Sequence, residues 1–293
     1  MEIKALYTLF SKHWMVDTDT RKIRKNTIFF ALKGENFNGN TFATTALDKG
    51  ASFSVVDQKE YQTDANIILV DNVLKTLQKL ARYHRVQLGI PIISLTGSNG
   101  KTTTKELINA VLKKQFKTCA TIGNLNNHIG VPLSLLSIQE SDEIGIIEMG
   151  ANHQKEIEFL CDIAAPDFGY ITNFGKAHLE GFGGIEGVIK GKSELYRYLF
   201  KNNKTAFVNP NDLVQLEKTA TIKRVLFDVD SIQCTTTNPF LKIQLNDLEI
   251  QSNLIGTYNF SNIMAAISIG KHFGIKNHLI KEAIEKYYPS NNR

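Results

Sequence analysis

The sequence predicts an α/β protein in which a small mixed α/β domain precedes a larger domain with a mostly parallel sheet and helices on both faces. Before about residue 88 the elements are short and mixed, whereas later segments alternate regularly between an apolar strand and a helix. The length of 293 residues is enough for roughly two domains. We therefore place the domains at residues 1–88 and 89–293.

In the first domain, short apolar stretches predict three strands among turn-rich loops, and an amphipathic segment predicts a helix that closes the domain. The strands are NTIFFALKG (26–34), ASFSVVD (51–57) and NIILVD (66–71), and the helix is LKTLQKLARYHRVQ (74–87).

The second domain begins with four strand and helix pairs, and a ligand should lie at the carboxyl ends of its parallel strands. Near the end of the chain, an alternating segment predicts an antiparallel hairpin, and two helices follow it. The pairs are 90–96 with 102–116, 143–149 with 154–164, 167–172 with 185–200, and 205–209 with 212–220; the hairpin is 240–256 and the helices are 258–274 and 276–288.

Composition indicates an ordinary globular protein, with 42% hydrophobic and 22% charged residues and a formal net charge of +5. No block of like charges suggests nucleic-acid binding, and no segment approaches membrane-spanning length or resembles a cleaved leader. We expect a cytoplasmic monomer without nucleic-acid or membrane partners. Three widely spaced cysteines, Cys119, Cys161 and Cys234, fit no metal or redox pattern and are expected to be buried thiols.

The segment TGSNGKTTT between the first strand and helix of the second domain predicts a phosphate-binding loop. Two glycines allow several backbone amides to face one anion, a lysine neutralises charge, and a threonine hydroxyl can bind magnesium. The usual phosphate-loop pattern has glycine where Leu95 stands, so a plain strand-to-helix turn is the alternative. The candidate residues are Gly97, Ser98, Asn99, Gly100, Lys101, Thr102 and Thr103.

Glu148 ends the apolar strand EIGIIEM, so it should lie at the same edge of the sheet as the loop. Magnesium takes oxygen ligands with one or two carboxylates, and we predict a metal role for Glu148 over a solvated position at the strand end. His178 lies in a glycine-rich loop after another strand. By composition alone, His178 and Lys192 are surface residues.

Six segments, in order, resemble the successive motifs of the Mur ligases, which are ATP-dependent amide-forming enzymes of bacterial cell-wall synthesis. The shortened phosphate loop is the form that this family uses, and the resemblance covers practically the whole chain. The segments are TGSNGKTTT, GNLNNHIGVPLSLL, IIEMGANHQKEIEFL, ITNFGKAHLEGFGG, GKSELY and GTYNFSNIMAA.

Among the family's activities, the resemblance is greatest to the addition of D-alanyl-D-alanine to UDP-N-acetylmuramoyl-tripeptide. The paired asparagines before Gly-Val-Pro carry this likeness, and residues 17–42 resemble the family's uridine-diphosphate-binding region. One departure lies there, because Asn38-Gly39-Asn40 stands where Asp-Gly-His is usual.

The resemblance also implies roles for individual residues. Lys101 and the loop amides would hold the phosphates of ATP, Thr102 and Glu148 a first magnesium ion, and His178 a second. Lys192 matches a lysine that the family carboxylates with carbon dioxide, which gives it a place in the metal site. Asn262 matches an asparagine near the adenine. The substrate-binding candidates are Asn126 and Asn127 and, for the uridine nucleotide, Thr18, Asp19, Thr20 and Arg21, which suit a capped surface turn equally well.

The closing YYPSNNR resembles the segment that leads into the family's third domain, so we expect a shortened chain in which that domain is absent. Three alternatives to the ligase remain: a sibling ligase that adds one amino acid to a shorter UDP-muramoyl peptide, a non-catalytic nucleotide-sugar-binding fragment, and a nucleic-acid-dependent hydrolase.

Overall fold

The structure, a computed structural model, describes residues 1–289. The predicted link to a third domain falls largely on residues 290–293, outside that range. The helices are α1 Ile3–His13, α2 Ala43–Asp48, α3 Val73–Leu88, α4 Lys101–Leu112, α5 Gly130–Leu136, α6 Glu156–Ala164, α7 Leu179–Phe182, α8 Ile185–Lys192, α9 Glu194–Lys201, α10 Leu213–Lys218, α11 Tyr258–His272 and α12 Asn277–Glu285.

In the described part of the chain the strands are short and fall into four sheets. They are β1 Val16–Asp17, β2 Ile28–Phe30, β3 Lys33–Gly34, β4 Phe37–Asn38, β5 Phe53–Val56, β6 Ile67–Leu69, β7 Ile92–Thr96, β8 Thr118–Ala120, β9 Ile144–Glu148, β10 Phe168–Ile171, β11 Thr205–Val208, β12 Arg224–Leu226, β13 Ile232–Thr236, β14 Lys242–Leu245 and β15 Leu248–Gln251.

The first compact unit comprises Met1–Gly89 together with His128–Glu140. Its parallel sheet has the order β1-β2-β5-β6, and helix α3 packs against α1 and α5. The compact unit thus includes residues 128–140, which the sequence-based boundary assigns to the domain of residues 89–293. These residues join the first unit because the apolar α5 packs on α3, where the Gln78 side chain also donates a 2.9 Å hydrogen bond to the carbonyl of His128.

The second unit comprises Ile90–Asn127 and Ser141–Arg293. Its six-stranded sheet is parallel throughout, in the order β12-β11-β10-β7-β9-β8. Successive residues of β10 face opposite sides of the sheet: Tyr170 packs in the core that α4 and α11 share, whereas Gly169 lies against Leu195 and Leu199 of α9. The predicted arrangement with helices on both faces is confirmed.

Three local predictions need correction. The helix predicted over 185–200 is divided at Ser193, whose ψ of −2° departs from α-helical geometry. The predicted hairpin has a third strand, β13, because Ile232 and its neighbours pair with β14. Of the three cysteines, only Cys161 is fully buried, and Cys234 is exposed.

No helix within residues 1–289 combines the length and hydropathy needed to cross a bilayer.

Helix α4, which follows the predicted phosphate loop, packs closely on α11 at Gly270. A Cβ atom on Gly270 would lie 2.4 Å from Cγ1 of the buried Val111. We expect Gly270→Ala to destabilise the protein by about 1–3 kcal/mol, because a full methyl group cannot fit without moving α4. In chemical denaturation, Val111→Ala should restore part of the loss in the double variant, whereas simple additivity would contradict this packing.

The first unit contains a fully buried histidine, His84, which contacts the rings of Phe10 and Trp14. Its Nε2 lies 3.0 Å from the carbonyl of Ile138 and its Nδ1 lies 3.3 Å from the hydroxyl of Tyr7. These partners suit the neutral imidazole, with Nε2 donating and Nδ1 accepting. Burial lowers the pKa of His84 to about 4, although the Ile138 carbonyl opposes the shift.

Stability of the first unit should therefore fall in acid. The folded pKa of His84 lies below its unfolded value, so the unfolded chain binds more protons as the pH drops from about 6.5 toward 4. The stabilisation present above pH 6.5 is lost across that interval. We expect wild type to lose more stability than His84→Gln in denaturant titrations at successive pH values, and parallel curves would contradict the assignment.

Candidate nucleotide site of the second unit

The loop after β7 has a backbone that glycine alone fits well at two positions. Gly97 and Gly100 have φ angles of 147° and 77°. A Cβ atom on Gly97 would lie 1.9 Å from Oγ1 of Thr172, and one on Gly100 would lie 2.6 Å from Oδ1 of Asn262. The loop is thus pressed between the end of β10 and helix α11, and its last residue leads directly into α4.

Side chains after β10 hold this loop in place. The Thr172 hydroxyl and the Asn173 amide both donate to the carbonyl of Asn99, at 2.6 and 3.0 Å, and Asn173 Oδ1 accepts the Asn99 N–H at 3.2 Å. Ser98 donates its hydroxyl to the Gly175 carbonyl at 2.7 Å. Sequence analysis missed Thr172 and Asn173 as loop-positioning residues. Their place after a predicted strand was the available signal, but it did not reveal which strands are neighbours.

Asn262, predicted near the adenine, is buried beneath the loop. Its Oδ1 accepts the hydroxyl of Thr104 at 3.0 Å, and its Nδ2 donates to Asn259 Oδ1 at 2.8 Å. This asparagine therefore fixes α11 to the first turn of α4, next to Gly100. Thr103, on the same turn, is partly exposed.

Lys101 starts α4 and bends back over the loop. Its ammonium group donates to the carbonyls of Gly97 and Ser98, at 2.8 and 3.2 Å. Burial lowers the pKa of Lys101, and the negative charge of Glu148 opposes that shift. The loop thus combines backbone amides, a helix N-terminus and a partly desolvated cation, which together suit a phosphate group.

Glu148 at the end of β9 has a buried carboxylate, and the residue is 1% exposed. Its Oε1 accepts the Asn126 amide at 2.8 Å and lies 3.4 Å from the hydroxyl of Thr102. Among residues 1–289 its Oε2 has no hydrogen-bond partner, and the buried Lys105 ammonium lies 3.8 Å away. A buried carboxylate oxygen without a hydrogen bond is costly unless another group binds it.

Magnesium fits this pair of oxygen donors, because it prefers a carboxylate, a hydroxyl and water or phosphate oxygens. Thr102 and Glu148, both predicted metal ligands, lie together at the carboxyl ends of the sheet. His178 is different: it is exposed and adopts a left-handed backbone with φ of 52°. Across residues 1–289, no three His, Cys, Asp or Glu side chains form a ready metal cluster.

Lys192, the last residue of α8, is 1% exposed, contrary to the surface position that composition suggested. Its ammonium nitrogen lies 3.4 Å from the carbonyl of Ala151 and 5.1 Å from the centre of the Phe182 ring. Burial lowers the pKa of Lys192 to about 8, and the positive charge of Lys101 adds to the shift. An appreciable fraction of neutral amine is therefore present near neutral pH.

The two predicted asparagines differ in their surroundings. Asn126 holds Glu148 through its side chain, and its carbonyl accepts the Gly150 N–H at 2.7 Å. Asn127 is exposed. Asn126 thus acts on the candidate metal ligand, whereas Asn127 is accessible to a substrate.

The predicted uridine-nucleotide turn lies in the first unit. Asp19 caps a 3-10 helix, Thr20–Lys22, and its carboxylate binds the guanidinium of Arg21 at 2.8 and 2.9 Å. Hydrogen bonds from Arg21 lower the pKa of Asp19 to about 2. Thr18 and Thr20 are partly exposed. These contacts fit the capped-turn alternative, while the exposed face of Arg21 stays available to an anion.

A second polar cluster of the first unit lies where the sequence departs from Asp-Gly-His. Asn40 is fully buried, and its amide binds both Asn38 Oδ1 and Asp57 Oδ1, at 2.9 and 3.0 Å. Lys33 forms a 3.0 Å ion pair with Asp57. Asn40 is therefore committed to internal contacts at the ends of β2 and β5.

The second unit is an α/β nucleotide-binding fold with a phosphate loop, defined by its parallel sheet and by Lys101, Thr102 and Glu148 at the strand ends. Profiles of known families agree: the Mur ligase middle domain matches residues 95–270, and the Mur ligase family catalytic domain matches residues 14–85. The chain belongs to the Mur ligase family.

Two individual relatives have the same protein name. The UDP-N-acetylmuramoyl-tripeptide--D-alanyl-D-alanine ligases of Bacillus subtilis and Escherichia coli are 35% and 33% identical, over 89% and 92% of this chain. The chain spans 59% and 62% of their lengths, about three fifths.

Solved structures of MurF from two species are also similar. A crystal structure from Acinetobacter baumannii matches with a TM-score of 0.82 at 29% identity, over 95% of this chain and 64% of that one. MurF from Thermotoga maritima in complex with ADP matches with a TM-score of 0.79 at 29% identity, over 94% and 66% of the two chains.

The loop geometry gives a direct test. We expect Gly97→Ala to weaken the affinity for Mg-ADP by at least about tenfold, because the added methyl group collides with Thr172 and strains the backbone. Gly34→Ala is the matched control, since nothing lies within 4 Å of its added Cβ atom. Calorimetric titration of both variants measures the effect, and equal affinities would contradict the proposed loop function.

Proposed function

We propose that this chain is the nucleotide-binding and UDP-sugar-binding part of an ATP-dependent ligase that joins D-alanyl-D-alanine to UDP-N-acetylmuramoyl-tripeptide. The observation that carries the proposal is the buried Glu148 carboxylate, with one oxygen free of hydrogen bonds, beside Thr102 and the loop of Lys101. The names of the relatives supply the substrates.

The phosphates of ATP would bind the amides of residues 97–100 and the start of α4. Lys101 would exchange its two carbonyl contacts for phosphate oxygens, which are stronger partners for an ammonium group. Thr172 and Asn173 keep the loop amides oriented before ATP arrives, so little reorganisation is needed on binding.

Thr102 and Glu148 would hold magnesium, which draws charge from phosphate oxygens and reduces repulsion between two anionic reactants. Asn126 keeps one Glu148 oxygen fixed, leaving the other for the ion. A second magnesium ligand at His178 is supported by the family resemblance alone.

Lys192 is proposed to react with carbon dioxide and form a carbamate, as the resemblance implies. Its buried position and a pKa of about 8 support this step, because the neutral amine is the form that attacks carbon dioxide. The change replaces a cation by an anion next to Lys101 and the proposed metal site.

In the proposed reaction, the free carboxylate of the UDP-linked tripeptide attacks the terminal phosphate of ATP, which gives an acyl phosphate and ADP. The amine of D-alanyl-D-alanine then attacks the acyl carbon, loses a proton and displaces phosphate. The protein contributes mainly orientation and charge stabilisation, since phosphoryl transfer needs little covalent help from side chains.

The turn with Thr18, Asp19, Thr20 and Arg21 is proposed to contact the uridine nucleotide, and Asn126 and Asn127 the peptide end of the substrate. The partly exposed hydroxyls and the exposed Arg21 support the first assignment. Asn262 is proposed to lie beneath the adenine rather than to bind it alone, because its amide already bridges Thr104 and Asn259. We further propose a cytoplasmic monomer.

The function can be tested by calorimetry with this chain. Lys101→Met should weaken Mg-ADP binding by at least about tenfold, because it removes a charge-assisted contact to phosphate. Glu148→Gln should remove the difference in ADP affinity between magnesium and a chelator. Lys218→Met, which alters a surface lysine paired with Glu217, is the control and should bind as wild type does.

Substrate choice needs a second titration. UDP-N-acetylmuramoyl-tripeptide should bind more tightly than the dipeptide form in the presence of magnesium and a non-hydrolysable ATP analogue. Preference for the dipeptide form would indicate a sibling ligase. Unchanged nucleotide binding in both the Lys101 and Glu148 variants would refute the site itself, and stimulation of ATP hydrolysis by RNA or DNA would favour the hydrolase alternative.

A further inference from the structure

The carboxylate of Glu194, the first residue of α9, is buried against the start of a different helix. Its side chain is 1% exposed. Oε1 accepts the backbone N–H of Lys155 at 2.7 Å, and Oε2 accepts that of Glu158 at 3.0 Å. Lys155 precedes α6 and gives that helix no side-chain cap of its own. Glu194 therefore caps α6 from across the unit.

Residues 149–155, which we call the capped segment, connect Glu148 to α6. This segment contains the residue whose carbonyl Lys192 contacts. Within it, the Ala151 carbonyl lies 3.4 Å from the Lys192 nitrogen. The Glu156 carboxylate accepts the N–H groups of Asn152 and His153, at 2.6 and 3.0 Å. Hydrogen bonds to Glu156 thus stabilise the capped segment itself. Glu194 connects the end of the segment next to α6 to the junction of α8 and α9, where Lys192 lies.

Lys192 and Glu194 flank Ser193, the residue at which α8 and α9 divide. One side chain reaches the beginning of the segment at Ala151, and the other reaches its end at Lys155 and Glu158. Together, these two contacts hold the junction of α8 and α9 close to the segment that follows β9. Loss of either one removes one of the side-chain contacts between this segment and the helix junction.

We propose that Glu194 is a positioning residue that holds the Lys192 amine against the segment that follows Glu148. The proposal rests on the proposed function of that rim and adds a residue to it. A carboxylate suits the task, because it accepts two N–H groups at a positively polarised helix end and also lies 3.5 Å from the guanidinium of Arg197. An amide side chain accepts with one oxygen only, so glutamine can satisfy one of the two donors.

The test compares Glu194→Ala, Glu194→Gln and the control Glu158→Gln. The control changes a half-exposed carboxylate that pairs with Lys155, on the helix that Glu194 caps. Hydrogen exchange at the Lys155 and Glu158 amides should be faster by about tenfold in Glu194→Ala and intermediate in Glu194→Gln, and exchange at the Lys155 amide should be unchanged in the control.

Two further measurements report on Lys192 itself. Peptide mass spectrometry after brief acetylation should show faster labelling of Lys192 in Glu194→Ala, relative to exposed lysines of the same chain. With 13C-bicarbonate, the carbamate resonance that disappears in Lys192→Met should also weaken in Glu194→Ala and partly recover in Glu194→Gln. Thermal midpoints within a few degrees of wild type would show that the variants are folded.

The possible outcomes distinguish failure of the Glu194 proposal from failure of the proposed function. Faster amide exchange with unchanged Lys192 labelling would overturn the proposal, because Glu194 would then be a helix cap without influence on the amine. Absence of both the carbamate signal and Mg-ADP binding in wild type would instead refute the proposed function. The labelling rate of Lys192 would still decide whether Glu194 positions it.

Discussion

A surplus of buried positive charge at the carboxyl edge of the parallel sheet is the constraint on which the site depends. Lys105 and Lys192 are buried and Lys101 is partly buried; Glu148 acts on Lys101 and Lys105, and Glu156 and Glu194 act on Lys192. Burial lowers the pKa of Lys192, and repulsion from Lys101 adds to that shift. Such an arrangement is costly in the isolated protein and becomes favourable when an anion with several charges binds.

The parallel sheet makes this concentration of charge possible. Strands β7, β9 and β10 are neighbours, so the residues that follow them meet at one edge even though they are far apart in sequence. The order of the strands reverses between β7 and β10, and open α/β sheets bind ligands at such a point. The loop of Gly97 and Gly100 lies there, against Thr172 from the other side.

The sequence points to Lys101, Thr102 and Glu148 as site candidates because glycines, a lysine and an acid at strand ends carry a local signal. Lys192 required the family resemblance, since its burial depends on where Ala151 and Phe182 lie. Thr172, Asn173 and Lys105 have no comparable signal: which strands lie side by side, and which helix faces the carboxylate, is decided by tertiary packing. These residues position or balance groups that the sequence could identify.

The same reasoning explains where the structure differs from the predicted elements. Residues 128–140 follow a motif of the second unit, so continuity of sequence assigns them to the second domain, whereas the structure groups them with the first compact unit. Their apolar side chains pack instead with α3, to which they are distant in sequence. The sequence predicts one helix across Ser193 because the amphipathic periodicity continues through that residue. Periodicity does not report a local change in ψ.

Charge balance gives the proposed carbamate at Lys192 a physical reason. With an ammonium group there, Lys192 is repelled by Lys101 and attracted by the carboxylates of Glu156 and Glu194, whereas Glu148 acts on Lys101 and Lys105. A carbamate would remove the repulsion between Lys192 and Lys101, and the additional negative group also suits a divalent metal ion. A buried lysine whose acceptor is a carbonyl 3.4 Å away is poorly compensated as a cation. Burial and the charge of Lys101 lower the pKa of Lys192 to about 8, against the effect of Glu156 and Glu194, which increases the fraction of neutral amine that carboxylation requires.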